Sequence, residues 1–500
     1  MATGKALDGK PYAGNPHVRF DEGEVAPAAK PRRGSLLYID RKRFILGSAA
    51  AVGSYAFGGV GGGRPNLKVG IVTDSHLQAA ESARHFEKAL RYFRDCGVDA
   101  VLHNGDISDW GVISGWRLAA EAWERVFPGD RAPDGRKVVK LFTTGNHDFE
   151  GVKYGHQGAE MAANGISRDE LLVDNDLPAQ WEKFFGRRFV PVDRWSVNGY
   201  EFITTHWNHR KEIVPWMKAH RGEFAGEKPF FFFQHVQPDG TIAAGSSGDE
   251  GVAVEAFSSM PNAVVIGGHT HLSLTDGHQI WQGAFTAVCA GNLSWCEPPF
   301  GYENARPVDW RNKRVRQMPM IPDRFFQRTK QGLVMSVWDD RIVFERRDFS
   351  NDVELGPPWV VPLPLGREKP LSWENQAANM PVPQFAADAK VAARTVVGVD
   401  RRGETSIQAV LDFPTADRNG IRAYDYEVRI EPEGGQPILG CRVVSPTYNC
   451  GPSCECREQR AVMSVEKLPK GVPYRFAVVP RNCFGRGGEP IRTDDVWRSL

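Results

Sequence analysis

The chain has 500 residues, which is more than one hydrophobic core usually contains, so it should form more than one domain. It is 41% hydrophobic and 25% charged, the composition of an ordinary globular protein. A net charge of +1 gives no overall attraction to phosphate backbones and disfavours nucleic acid as a partner.

Residues 1–65 are predicted to be a disordered leader that carries an export signal. The beginning of the leader is rich in Gly, Pro, Ala and charged residues and shows no hydrophobic periodicity. The basic cluster 40–43 precedes a mildly apolar stretch, 44–56, that resembles an export signal but is too short and too rich in Gly and Ser to span a membrane. Lys42 separates the two nearest arginines, so the pair that defines the twin-arginine route is missing. We expect a periplasmic or extracellular protein without a transmembrane span; the alternative is a plain disordered tail.

Candidate metal ligands follow five predicted strands, each just past the end of its strand. The first strand, Leu67 to Thr73, is short and apolar, and Asp74, Ser75 and His76 follow it. Ligands bind at the carboxyl ends of the strands in open α/β sheets, so such side chains are expected at one edge. The other four motifs in chain order are Gly105-Asp106-Ile107-Ser108-Asp109, Gly145-Asn146-His147-Asp148, His235 and Gly268-His269-Thr270-His271.

The segments between these motifs alternate between strand and helix patterns. Helices are predicted at Ala80–Cys96, which ends before Gly97, and at Ser114–Phe127. This alternation predicts a sheet covered by helices. A hairpin is predicted at 195–204, turned by Asn198-Gly199.

Other histidines and one aromatic stretch lie outside the five motifs. His206 and His209 could contact substrate or be solvated loop residues, whereas His103 is interpreted as a core histidine. Residues 294–328 are rich in aromatic residues and Arg and predict a long loop beside the site. This loop could confer specificity or simply pack on its own aromatic side chains.

The order of the five motifs resembles that of the calcineurin-like metallophosphoesterases, over a domain of residues 66–355. The resemblance implies an α/β fold, a four-layer α/β/β/α sandwich, with two divalent or trivalent metal ions. Carboxylate, amide and imidazole ligands without a thiolate suit Mn, Fe or Zn. Two such ions, about 3.5–4 Å apart, neutralise a phosphoester and lower the pKa of the attacking water.

The same resemblance implies roles for nine polar residues of the motifs. The metal ligands form two sets that share one carboxylate: Asp74, His76 and His271 for one ion, Asn146, His235 and His269 for the other, and Asp106 as the bridge. His147 would stay free of metal and either stabilise the transferring phosphoryl group or protonate the leaving oxygen. Asp109 would orient the His147 imidazole by accepting its other N–H.

The C-terminal part is predicted to be a separate all-β domain. Residues 356–384 are rich in Pro and predict a linker, and short alternating segments across 385–500 predict a small β-sandwich. Its last hairpin resembles, loosely, that of a fibronectin type III domain. Cysteine clustering in an exported domain predicts disulfides, with a structural zinc site as the alternative, and the residues concerned are Cys441, Cys450, Cys454, Cys456 and Cys483. Cys289 and Cys296 could also pair with each other.

The predicted function is hydrolysis of phosphodiesters, either small molecules or lipid head groups, by a hydroxide that bridges the two ions. One alternative is a phosphomonoesterase, and another is a non-catalytic exported binding protein on the same scaffold. His76 stands where purple acid phosphatases have Gly, which argues against that subfamily. The complete set of seven ligands favours an enzyme.

Overall fold

The computed structural model describes residues 63–150, 167–242, 248–297, 302, 304, 329–399, 404–445 and 457–498. The predicted export signal, most of the aromatic stretch 294–328 and three of the C-terminal cysteines lie outside these residues. Within the described part of the chain, no helix combines the length and the apolar character needed to cross a membrane.

The N-terminal part contains two mixed sheets and their covering helices. The strands are β1 (Leu67–Val72), β2 (Ala100–Asn104), β3 (Val139–Thr143), β4 (Val192–Val197), β5 (Tyr200–Thr205), β6 (Phe230–Phe233), β7 (Ala263–Gly267), β8 (Ile280–Gln282), β9 (Thr286–Cys289), β10 (Gln331–Val337), β11 (Arg341–Asp348), β12 (Val353–Glu354) and β13 (Trp359–Pro362). The helices are α1 (Ala80–Cys96), α2 (Ile113–Val126), α3 (Asn146–Glu150), α4 (Leu177–Phe185), α5 (Ile213–His220) and α6 (Val252–Phe257).

Parallel strands form the centre of each sheet. In the seven-stranded sheet, β1, β2 and β3 are parallel neighbours, and β10 pairs antiparallel with β1. In the six-stranded sheet, β5, β6, β7 and β9 run parallel, with β4 and β8 antiparallel at the edges. Because parallel strands end at the same edge, the loops after β1, β2 and β3, and those after β6 and β7, are brought together.

The two sheets pack face to face and bury each other's apolar side chains. Alternate residues of β1 point to opposite faces, so Val69 and Ile71 join Phe231 of β6 between the sheets. The opposite face of the first sheet, including Val101, packs on Phe86 of α1 and Trp116 of α2. Burial of each such side chain contributes roughly 1.5–3 kcal/mol. Helices α5 and α6 cover the second sheet, which confirms the predicted four-layer α/β/β/α sandwich.

Local sequence signals determine several boundaries. Helix α1 ends at Gly97, whose φ of 69° lets its N–H bond back to the carbonyls of Arg94 and Phe93. The predicted hairpin is β4–β5, and its turn has positive φ at both Asn198 (50°) and Gly199 (77°).

The proline-rich stretch 356–384 contributes structure as well as a connection. It supplies β13, which pairs with β11 of the first sheet, and a helix, α7 (Trp373–Asn379). The helix residue Gln376 donates a hydrogen bond to the Gly277 carbonyl at 3.0 Å. The prediction of a linker, made from composition, therefore missed one strand and one helix.

The C-terminal part is all-β, as predicted. Its strands are β14 (Ala392–Val399), β15 (Thr405–Pro414), β16 (Asp425–Pro432), β17 (Ile438–Val444), β18 (Glu458–Ser464), β19 (Pro473–Arg481), β20 (Ile491–Arg492) and β21 (Trp497–Arg498). A three-stranded and a five-stranded sheet enclose one apolar core that includes Leu411, Tyr426 and Phe476.

The suggested Cys289–Cys296 pair is not formed. Both are buried free thiols, and the Cys296 sulfur accepts hydrogen bonds from Asn292 (3.2 Å) and Thr329 (3.0 Å).

Candidate metal centre

The five motifs meet at one end of the two sheets. Asp74, Asp106 and Asn146 follow β1, β2 and β3 of the first sheet, and His235 and His269 follow β6 and β7 of the second. Close approach of the loops requires glycine within the motifs: a Cβ on Gly145 would lie 2.0 Å from the Asp106 carboxylate. The predicted ligands, distant in sequence, are therefore brought together by the ends of the strands.

One group of side chains converges around Asp74. Its Oδ1 lies 3.0 Å from His271 Nε2 and 3.8 Å from His76 Nε2, and the two imidazole nitrogens are 3.3 Å apart. All three residues are buried. Asp74 Oδ1 is surrounded by imidazole nitrogens and accepts no well-aligned hydrogen bond from the described residues.

A second group converges around Asp106. Its Oδ2 lies 3.1 Å from His235 Nε2, and the latter nitrogen is 3.3 Å from His269 Nδ1. The same Oδ2 is 3.6 Å from His76 Nε2 of the first group. Asp106 therefore stands between the groups, in the position expected of a bridging ligand. Asn146 is buried at the start of α3, directly after Gly145.

The backbone at these positions is unusual. Left-handed φ values of 44° to 71° occur at five of the seven candidate ligands, namely Asp74, His76, Asp106, His269 and His271. Few non-glycine residues adopt this conformation. These observations together fit a pair of metal ions: carboxylate and imidazole ligands converge, the buried Asp74 Oδ1 accepts no well-aligned hydrogen bond from the described residues, and the backbone is left-handed at five ligands.

Opposite charges shift the pKa values of the buried groups. Burial opposes ionisation of Asp74, but His271 and His235 lower the pKa of this carboxyl well below its usual range. Burial likewise opposes protonation of His76, but Asp109 and Asp74 raise its pKa to about 10. For His269, burial and the charge of His235 lower the pKa to about 3. Imidazoles bind metal ions only when neutral, so metal binding would compete with protonation of His76.

Asp109 contacts two imidazoles, His76 as well as the predicted His147. Its carboxylate Oδ1 accepts a hydrogen bond from His76 Nδ1 at 2.6 Å, whereas His147 Nδ1 is 3.3 Å from that oxygen. His147 Nδ1 donates instead to the backbone carbonyl of Asp109, at 2.7 Å. Asp109 therefore orients a candidate metal ligand with its side chain and the candidate acid mainly with its backbone.

Asp148 joins two of the loops and was missed as a site residue. Its Oδ1 accepts from Ser108 N (2.9 Å) and Trp116 Nε1 (2.8 Å), and its Oδ2 from Gly145 N (2.9 Å) and Ile107 N (3.2 Å). Burial and the charge of Asp106 raise the pKa of Asp148 to about 6. The Asp at the end of the Gly-Asn-His-Asp motif was the available signal.

The Asp148→Asn substitution is expected to lower the free energy of unfolding by about 3 kcal/mol, since each buried unmet donor costs about 1–3 kcal/mol. Either orientation of the amide turns its NH₂ toward two N–H donors that the carboxylate now accepts. Urea denaturation of the variant and of wild type measures the difference. Unchanged stability would show that Asp148 does not fix the loops.

Two tryptophans flank the metal-ligand groups. The Trp295 ring stacks on His271 with centroids 4.4 Å apart and lies 4.7 Å from His76, while its carbonyl accepts from His271 Nδ1 at 3.0 Å. On the other side, the Trp207 ring lies 6.0 Å from His235 and 6.1 Å from His269. Trp295 belongs to the aromatic stretch noted in the sequence. Trp207 was missed, although it follows β5 at the same edge.

Three further histidines noted in the sequence lie in the core or beside a cleft. His206 is buried and stacks on Phe189 at 3.9 Å, and burial lowers its pKa to about 3. His209 lines a cleft of about 580 Å³ beside Trp207. His103 is a buried core histidine, as predicted, with Nε2 2.8 Å from Ser75 Oγ.

Comparison with known proteins gives a family for the N-terminal part. Residues 67–273 match the model of the calcineurin-like phosphoesterase family. No curated protein matches the chain. Among solved structures, a dimetal phosphatase from Danio rerio is 12% identical with a TM-score of 0.35, covering 60% of this chain and 99% of that one. A purple acid phosphatase from yellow lupin (Lupinus luteus) is 14% identical with a TM-score of 0.36, covering 65% of this chain and 58% of that one.

At such low TM-scores the assignment rests on the family model and on the site. The matched residues contain all five motifs, and the side chains of these motifs converge into two adjoining groups of metal-binding type. Residues 67–273 therefore belong to the calcineurin-like phosphoesterase family, and the protein is a metal-dependent phosphoester hydrolase.

Proposed function

We propose that the protein is a phosphodiesterase whose metal ions are held by the seven candidate ligands. One ion would bind Asp74, His76 and His271 and the other Asn146, His235 and His269, with Asp106 shared. When bound, such a pair neutralises phosphate charge and lowers the pKa of a water molecule. Outside the ligands, Asp109 would hold His76 in the tautomer that leaves Nε2 for the ion.

We assign His147 to protonation of the leaving oxygen. Although burial opposes it, the charge of Asp106 raises the pKa of His147, which favours the protonated imidazole that a general acid requires. Its side chain is 20% exposed, compared with 1% for His76 and 0% for His235, so substrate can reach it. With Nδ1 bonded to the Asp109 carbonyl, Nε2 is the nitrogen that would contact the substrate.

The flanking tryptophans are the observation that favours a diester. A diester carries one negative charge and two organic groups, whereas a monoester dianion needs additional cations around its oxygens. Trp207 and Trp295 supply apolar surface on both sides of the ligands. Among the described residues, no Lys or Arg pairs with Asp74, Asp106 or Asp109.

Hydrolysis of bis(4-nitrophenyl) phosphate and of 4-nitrophenyl phosphate tests this proposal. With Mn²⁺, Fe²⁺ or Zn²⁺ restored to metal-free protein, kcat/KM is expected to be higher for the diester by about tenfold or more, which is about 1.4 kcal/mol. A preference for the monoester would instead indicate the phosphomonoesterase alternative. If the protein binds substrate but shows no turnover with Mn²⁺, with Fe²⁺ or with Zn²⁺, it is a binding protein.

A further inference from the structure

We propose that the cleft beside Trp207 binds a second anionic group of the substrate, through Arg210. The substrate would be a phosphodiester whose non-leaving ester group carries a negative charge. This inference rests on the proposed phosphodiesterase activity and adds a recognition site outside the metal centre.

Arg210 is held in place but its hydrogen-bonding capacity is not used up. Its guanidinium lies over the Trp207 ring at 4.0 Å, and Nη1 donates to the Trp207 carbonyl at 3.0 Å. Stacking on an aromatic face orients the planar guanidinium without removing its charge. Its Nε is buried and donates to no acceptor in the described part of the chain. A buried donor without an acceptor is costly unless a ligand satisfies it.

In the described part of the chain, Arg210 forms no direct ion pair with a carboxylate. Lys211, its neighbour along the cleft, is paired with Glu250 at 2.9 Å. Glu212 also lines the cleft. Among the described residues, however, no carboxylate oxygen lies within the 4.0 Å limit of an ion pair with Arg210. Arg210 acts on Glu250 only at longer range, so among the described residues that line the cleft its guanidinium is available to pair with a substrate anion.

Trp207 connects the cleft to the metal centre. One indole ring faces the imidazoles of His235 and His269 and also supports Arg210. The backbone N–H of Trp207 donates to Thr144 Oγ1 at 3.2 Å, two residues before Asn146. The cleft, with a volume of about 580 Å³, is large enough for a small ester group. A diester bound at the metals could therefore extend one group along Trp207 to Arg210.

Two substrates that differ only in charge test the inference. 2-Carboxyethyl 4-nitrophenyl phosphate and its amide, 2-carbamoylethyl 4-nitrophenyl phosphate, have the same leaving group and nearly the same size. The wild-type enzyme is expected to prefer the carboxylate by about tenfold or more in kcat/KM, the effect of one charge-assisted hydrogen bond. Arg210→Gln should abolish that preference, with a larger loss of kcat/KM for the carboxylate than for the amide.

Lys211→Gln is the matched control, since it removes a cleft-lining charge that already has a partner and should keep the preference. Equal loss in both variants would overturn the inference, because it would reflect general electrostatic attraction. Equal turnover of the two esters by the wild-type enzyme would also overturn it, while leaving the phosphodiesterase proposal intact. No turnover of either ester, or of bis(4-nitrophenyl) phosphate, would reject the phosphodiesterase activity itself.

Discussion

Replacing Asp106 by Ala is expected to remove both metal ions together and to abolish phosphoester hydrolysis. Asp106 Oδ2 is the carboxylate oxygen that faces both groups, 3.1 Å from His235 Nε2 and 3.6 Å from His76 Nε2. Without Asp106 each ion would lose a ligand. The negative charge that offsets the repulsion between the two cations would also be lost. The loss of activity should exceed the roughly 10²-fold typical of residues that only support a metal ligand. Elemental analysis and turnover of bis(4-nitrophenyl) phosphate measure the two effects.

Asp95→Ala provides the control for this experiment. Asp95 is exposed on α1, pairs with the adjacent Arg94, and should tolerate alanine with full metal content. If Asp106→Ala kept one full equivalent of metal, the carboxylate would serve a single ion and the shared site would be wrong.

The His147→Ala variant is expected to keep its metal ions but to lose about 10²–10⁴-fold in turnover, the usual contribution of a general acid. The loss should be largest for esters with poor leaving groups, such as alkyl esters, because a nitrophenolate needs little protonation. The measurement is kcat on a nitrophenyl and an alkyl diester, together with metal content. A lost metal ion, or an equal loss on both esters, would contradict the assignment of His147 as the acid.

Asp109→Asn gives the informative contrast. The sequence predicts a mild version of the His147 phenotype, since Asp109 was expected to orient that imidazole. Because Oδ1 actually accepts from His76 at 2.6 Å, the substitution should weaken metal binding by about 10–100-fold. Normal metal affinity with reduced turnover would restore the role predicted from sequence.

The sequence predicted strands correctly where a local pattern of residue types is enough to determine the structure. Apolar β-branched runs predicted β1, β2 and β7, and the polar motifs after them identified the edge at which the site lies. The partner of Asp109 could not be read in this way, because it depends on whether His76 or His147 lies nearer the carboxylate. That difference, 2.6 Å against 3.3 Å, is set by tertiary packing.

Flanking residues were harder to predict for the same reason. Trp207 looks like any aromatic residue after a strand, and its position beside His235 depends on the parallel pairing of β5 with β6, which are distant in sequence. For the Pro-rich stretch 356–384, the sequence predicted a linker where the structure has a strand and a helix. Its composition is that of a linker, yet Trp359 to Pro362 pair with β11 because the edge of the first sheet is available there.

The left-handed backbone at the candidate ligands implies a trade-off between stability and activity. Non-glycine residues held in this conformation store roughly 1–3 kcal/mol each, so the folded protein is strained at Asp74, His76, Asp106, His269 and His271. Glycine would relieve that strain but would remove the side chains on which the chemistry depends. The most stable form of this edge of the sheets would therefore be an inactive one.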